Sequence, residues 1–222
     1  AIAAGFTVLF ISWGLIDSDG MSRFAALAVQ WVSTNFGWLF SALTLVVALF
    51  MAVLAIGPRG RIPLGADGEA PEYSTMSWIA MIFAAGMGIG LMFYGPYEPL
   101  VYFMDVPHGF AAAAETRDAM LSSMAQTMFH WGPLAWSYYA LVGGAIAYAA
   151  YRRGRSPLIS AIFDPIFSER TRGPLGAVID IFAIIVTLFG TAVSLGIGAL
   201  QIGRGIEIVA DIGPVGNGVI IG

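Results

Sequence analysis

Apolar residues run in long stretches along this chain, and polar residues gather in the gaps between them. The first stretch, Ala1 to about Ile16, is shorter than the roughly 20 residues a membrane span needs, and Asp17, Asp19 and Gly20 end it. Over residues 21–35 the apolar positions Phe24, Leu27, Ala28, Trp31 and Val32 recur at helical spacing, which predicts a short amphipathic helix at an interface. Phe36 to about Ile56 is the first complete span, broken by Gly57-Pro58 and followed by a polar loop with Arg59, Arg61, Asp67, Glu69 and Glu72. A second apolar run covers about Met76 to Tyr97. Residues 100–128 are mixed and predict a surface helix from Ala111 onward. Further spans are expected over Trp131–Tyr151 and Leu175–Ile202, with a loop over Arg204–Asn217 before a fresh apolar run. Both ends cut through hydrophobic segments, so the chain reads as a fragment of a longer protein.

The composition agrees with a polytopic all-α membrane protein. Of 222 residues, 58% are hydrophobic and 11% charged, and the mean hydropathy is +0.81. With no cysteine, neither a disulfide framework nor a thiolate metal site is possible. Seven of the ten arginines lie in the loops at 57–75 and 152–174, while Arg23, Arg117 and Arg204 stand one to a connection. Because cytoplasmic loops carry the excess of basic residues, both arginine-rich loops are expected inside and the first segment runs outward. The basic residues form no nucleic-acid-reading pattern, and no phosphate loop or dinucleotide fingerprint is present, so no nucleic-acid partner is expected.

Three stretches hold candidate chemistry. In Phe83–Gly95, glycines at alternate positions, Gly86, Gly88 and Gly90, interrupt an apolar run. Each costs roughly 1 kcal/mol of helix propensity relative to alanine. They serve either close helix packing through small residues or a break whose freed backbone groups line a binding cavity. In His130–Tyr139, a straight helix would place Trp131, Tyr139 and Trp136 at roughly 0°, 80° and 140°, either in an interfacial aromatic belt or around one cavity for a cation. In Asp180–Ser194, Asp180, Thr187, Thr191 and Ser194 fall within about 60° on one helix side. Those hydroxyls either bond back to the preceding turn or supply oxygen ligands to a hard cation. Asp180 reads as an inner gate or as an acid near a helix N-terminus, and Glu98 as a structural cap or brace. A membrane-embedded enzyme would need His130 and Asp180 at one depth, whereas they are expected near opposite faces, so no enzyme is expected.

Taken together, Ala84-Ala-Gly-Met-Gly-Ile-Gly90, Phe93-Tyr-Gly-Pro-Tyr-Glu-Pro99, Phe129-His-Trp-Gly-Pro-Leu-Ala-Trp136 and the run from Thr187 to Gln201 resemble the betaine/carnitine/choline transporter family. The resemblance implies an inverted-repeat, sodium-symporter (LeuT-like) fold of twelve helices, of which this chain is an N-terminal fragment. Residues 1–75 would hold two peripheral helices, the first truncated. Residues 76–222 would begin repeat one, with a broken helix at 76–98, helices at 131–151 and 175–202, and the next helix starting after 217.

The resemblance also implies site roles. Gly86, Met87, Gly88, Ile89 and Gly90 would line the substrate site, with Trp131, Trp136 and Tyr139 as aromatics that flank the route or cage a quaternary ammonium. Sodium, the coupling ion, would be held at one position by the carbonyls of Ala84 and Met87 and at another by Thr187 and Thr191; no other cofactor is implied. Gly at position 90 goes with sodium-coupled betaine import, whereas an acidic residue there goes with choline and proton coupling. A carnitine-type exchanger is the nearest alternative. Pro96 and Tyr97 depart from the small residues expected there, which opens the fine substrate preference. The expected setting is the lipid bilayer of a bacterial-type inner membrane, crossed several times by a homo-oligomer such as a trimer. The fragment alone is expected not to transport, because the helices completing the cage and the sodium site lie beyond Gly222.

Overall fold

The computed structural model describes residues 2–86, 88–168, 171 and 173–214, and no strand occurs among them. Nine α-helices are described: α1 (Ile2–Ile16), α2 (Ser18–Ile56), α3 (Thr75–Gly86), α4 (Ile89–Met104), α5 (Arg117–His130), α6 (Pro133–Ala147), α7 (Ile159–Ile162), α8 (Asp164–Phe167) and α9 (Pro174–Ala210). Two of them, α2 and α9, are long and apolar enough to cross a membrane. α1 and α3 are shorter and apolar.

Several expected boundaries move. The amphipathic stretch at 21–35 is no separate helix; it continues without interruption into the expected span, giving a single 39-residue α2. No glycine or proline separates Val32 from Phe36, so nothing in the backbone stops the helix there. It starts at Asp17, whose carboxylate accepts from the Gly20 amide at 2.9 Å, an N-cap of the ordinary kind. The surface helix expected from Ala111 begins instead at Arg117, where Thr116 accepts from the Ala119 amide at 3.2 Å. The loop expected from Arg204 is helical as far as Ala210, with Arg204 and Glu207 paired at 2.6 Å one turn apart.

Cα proximity gathers the chain into two compact units, each discontinuous in sequence. One comprises residues 1–69 and 132–186. In it α2 packs on α6, with the Thr44 and Tyr138 hydroxyls 2.9 Å apart. Val47 and Ser137 are buried, and Ser137 donates to the Leu134 carbonyl at 2.6 Å. α6 ends in a π turn over Tyr148–Arg152. Arg152 then reaches 85 residues back, donating to Asp67 at 2.7 Å and to the Gly65 carbonyl at 2.9 Å. The guanidinium beside it holds the Asp67 carboxyl below the usual carboxylate range. Arg155 pairs with Asp164 at 3.5 Å, and the Thr171 hydroxyl also donates to Asp164.

The other unit comprises residues 70–131 and 187–222. Here α4 packs closely on α5 because α5 turns small residues inward: Ala119, Ser123 and Thr127, four apart in turn, are buried. Ser123 and Thr127 satisfy their hydroxyls within the helix, on the carbonyls of Met120 and Ser123. Small inward side chains with no outstanding donor let two helix backbones approach without leaving a polar group stranded.

Candidate functional site: an interrupted helix under an indole

The apolar run over Met76–Tyr97 is interrupted. α3 ends at Gly86, Gly88 is extended (φ −63°, ψ −169°), and α4 starts at Ile89. Met87 lies outside the described residues. A helix end leaves its last four carbonyls without intrahelical donors, and Ala84 stands among those four in α3. On the other side, the Gly88 carbonyl accepts from the amides of Leu91 and Met92, closing the first turn of α4.

Gly90 lies in that first turn, beneath an indole. A Cβ built on Gly90 would stand 3.2 Å from the Trp131 ring, tighter than an ordinary contact. Trp131 also lies over Tyr94, with centroids 6.1 Å apart at 31°, and Tyr94 meets Phe93 at 5.0 Å and Tyr97 at 6.0 Å. Two expected site residues 41 positions apart, Gly90 and Trp131, are thus brought together, and Tyr94 joins them. Its position one turn beyond Gly90 is the signal that places it on the same helix face.

The single helix expected to carry Trp131, Trp136 and Tyr139 is interrupted. Trp131 is the C-cap of α5, Gly132 is extended, and Pro133 starts α6. Proline lacks an N–H and has a fixed φ, so it begins a helix and does not continue one. Trp136 and Tyr139 share α6 in the other compact unit, with ring centroids 5.2 Å apart and Tyr139 71% exposed.

Thr187 and Thr191 are exposed on α9, and Thr191 lines a shallow groove of about 640 Å³ with Gly190, Ser194 and Gly198. Asp180 is neither at the helix N-terminus nor free. Six residues into α9, it accepts from the Ser160 amide at 2.9 Å and the Ser160 hydroxyl at 2.7 Å, tying α7 to α9. Glu98 takes the bracing role: its Oε2 lies 3.3 Å from His130 Nδ1, joining α4 to the end of α5. The Tyr102 hydroxyl lies 3.0 Å from the same nitrogen, and Gln126 Nε2 lies 3.1 Å from His130 Nε2.

A family model described as "BCCT, betaine/carnitine/choline family transporter" matches residues 1–221. The chain belongs to the BCCT family. BCCT proteins are membrane transporters and not enzymes. The "Betaine/ectoine transporter LcoP" of Corynebacterium glutamicum is 43% identical over 220 residues, covering 99% of this chain and 35% of the relative. The "Glycine betaine transporter OpuD" of Bacillus subtilis is 39% identical over 215 residues, 95% of this chain and 41% of the relative. The "High-affinity choline transport protein" of Escherichia coli is 38% identical over 210 residues, 95% of this chain and 31% of the relative. The chain therefore spans well under half the length of these curated relatives.

Within this BCCT chain, three polar ties escaped the sequence reading: Glu98–His130, Ser160–Asp180 and Arg152–Asp67. Each joins residues 20 to 85 positions apart, a separation at which periodicity carries no signal. Only the residue types, an acid with a potential donor, were visible.

Proposed function

We infer that the full-length protein is a secondary active transporter that imports a quaternary-ammonium osmolyte, glycine betaine foremost, by sodium symport. The observation that carries this reading is the interrupted helix with Gly90 set beneath Trp131. An aromatic face attracts a trimethylammonium group that cannot donate a hydrogen bond. Hydrogen at the Cα of Gly90 lets the Trp131 ring pack against the start of α4 and puts no negative side chain there to repel a substrate carboxylate. The carbonyls at the end of α3, with Ala84 among them, suit a small hard cation such as sodium, and Thr187 and Thr191 suit a second position.

The betaine and ectoine named for relatives at 39–43% identity support this substrate class. In this reading the protein crosses a bacterial-type inner membrane several times with its arginine-rich loops inside, as an inverted-repeat LeuT-like fold that acts as a homo-oligomer. Sodium and substrate bind at the break, and alternating access moves them inward together. The second reading is choline transport with proton coupling or exchange, favoured by the choline relative at 38% identity.

The deciding experiment is uptake of labelled glycine betaine by the full-length protein, with and without a sodium gradient, comparing Gly90→Asp. Sodium-dependent uptake that collapses in the variant upholds the reading. Uptake indifferent to sodium moves the mechanism to protons or exchange, and choline uptake alone favours the second reading.

A further inference from the structure

Pro96 lies inside α4 and has no N–H, so the Met92 carbonyl four residues earlier loses the donor that an uninterrupted helix would supply. In an apolar setting such an oxygen is costly to leave unpaired, and a proline in a membrane helix survives where a neighbour re-satisfies it. Gln201 on α9 is that neighbour: its Nε2 lies 3.4 Å from the Met92 oxygen, and only the amide NH₂ can serve a carbonyl there. Pro96 and Gln201 both line a groove of about 410 Å³, whose other walls are the apolar or aromatic Phe93, Tyr97, Leu100, Ile197 and Leu200 and the side chain of Arg204. Met92 stands two residues beyond Gly90, in the same first turns of α4 that present Gly90 to Trp131.

We propose that Gln201 is a positioning residue, which holds the start of α4 in place beneath Trp131 by donating to the carbonyl that Pro96 leaves free. The Pro96 and Gln201 side chains form a matched pair: the proline creates the acceptor and the glutamine occupies it. The inference rests on the transport reading for its kinetic readout and on geometry alone for its structural one.

The test is a double-mutant cycle in the full-length protein with Gln201→Leu, Pro96→Ala and both together. Betaine uptake by Gln201→Leu should show a KM raised roughly 3- to 10-fold, as expected for loss of one hydrogen bond, with Vmax within about twofold. A general loss of folded protein would lower Vmax and leave KM alone. In the Pro96→Ala background the amide of residue 96 takes over the Met92 oxygen, so Gln201→Leu should change KM by less than about twofold. Equal effects of Gln201→Leu in both backgrounds, or an unchanged KM in the single variant, would overturn the proposal. Should the wild type take up no betaine at all, the transport reading fails by itself. The same cycle read in melting temperature of the purified protein then decides: coupling between the two substitutions upholds the Gln201 tie, and additivity overturns it.

Discussion

Arg152 and Asp67, 85 residues apart, meet at 2.7 Å, so the loop after α2 is fastened to the π turn that ends α6. Arg152 also donates to the Gly65 carbonyl, so it grips this loop at two points. With its folded-state pKa lowered, Asp67 contributes stability fully above its unfolded value near pH 4. That contribution is lost as the pH falls through the lowered folded value. Amide exchange over residues 62–69 should therefore accelerate on acidification and in Asp67→Asn. High salt should produce part of the same change, because the Asp67 side chain is 80% exposed.

A graded series at Gly90 separates helix propensity from contact with the indole. Gly90→Ala gains roughly 1 kcal/mol of propensity but sets its Cβ 3.2 Å from Trp131, which must yield slightly, so stability should change little. Gly90→Val has no such allowance and should cost about 1–3 kcal/mol by overpacking. Betaine affinity should fall in the order Gly, Ala, Val, measured by binding to the full-length protein. An affinity equal across the series would remove the indole from the site.

Gly176 allows no side chain. A Cβ there would clash with the Thr171 carbonyl oxygen, and backbone cannot swing aside as a flexible side chain can. Gly176→Ala should therefore destabilise the first turns of α9 by about 1–3 kcal/mol, visible as a lowered melting temperature. Gly190→Ala, on the same helix with open space around it, should stabilise slightly or change nothing.

For the sodium reading, Thr191→Ala and Thr187→Ala remove one hydroxyl each from α9. Each should raise the sodium concentration for half-maximal uptake on the order of 10-fold, the loss expected for one polar partner of a charged group. Thr→Ser variants should keep most of the wild-type sodium response. An unchanged sodium response in both alanine variants would remove these hydroxyls from the ion path.

The helical class was legible from apolar run length, whereas the alternating glycines admitted both close packing and a break, and Glu98 read as a structural cap or brace without showing His130 as its partner. The continuity of α2 was not legible, because the change in amphipathic character at residues 35–36 looks like a boundary although no glycine or proline there requires a change in backbone. The continuous helix expected through Trp131 and Trp136 is broken for the converse reason. Pro133 is a start signal, and extending the helix through it put Trp131 on the wrong element. The inward stripe of Ala119, Ser123 and Thr127 escaped notice because small and hydroxyl residues carry little hydrophobic contrast, although their four-residue spacing was in plain view.

At 1.5 Å per residue, the 39 residues of α2 make a rod of roughly 58 Å, nearly twice the roughly 30 Å of a bilayer's hydrocarbon. An upright rod of that length carries about half of itself into water or headgroups, and a leaning one trades overhang for tilt. α2 is unhinged, touches α1 near its start, where the Trp13 and Phe24 rings lie 5.4 Å apart, and meets α6 about two-thirds of the way along, at Thr44 and Tyr138. Seated across a bilayer, such a rod would take an angle that depends on lipid chain length. Transport measured across vesicles of graded acyl thickness would then show an optimum, and cutting the rod with a proline near Ser33 would flatten it.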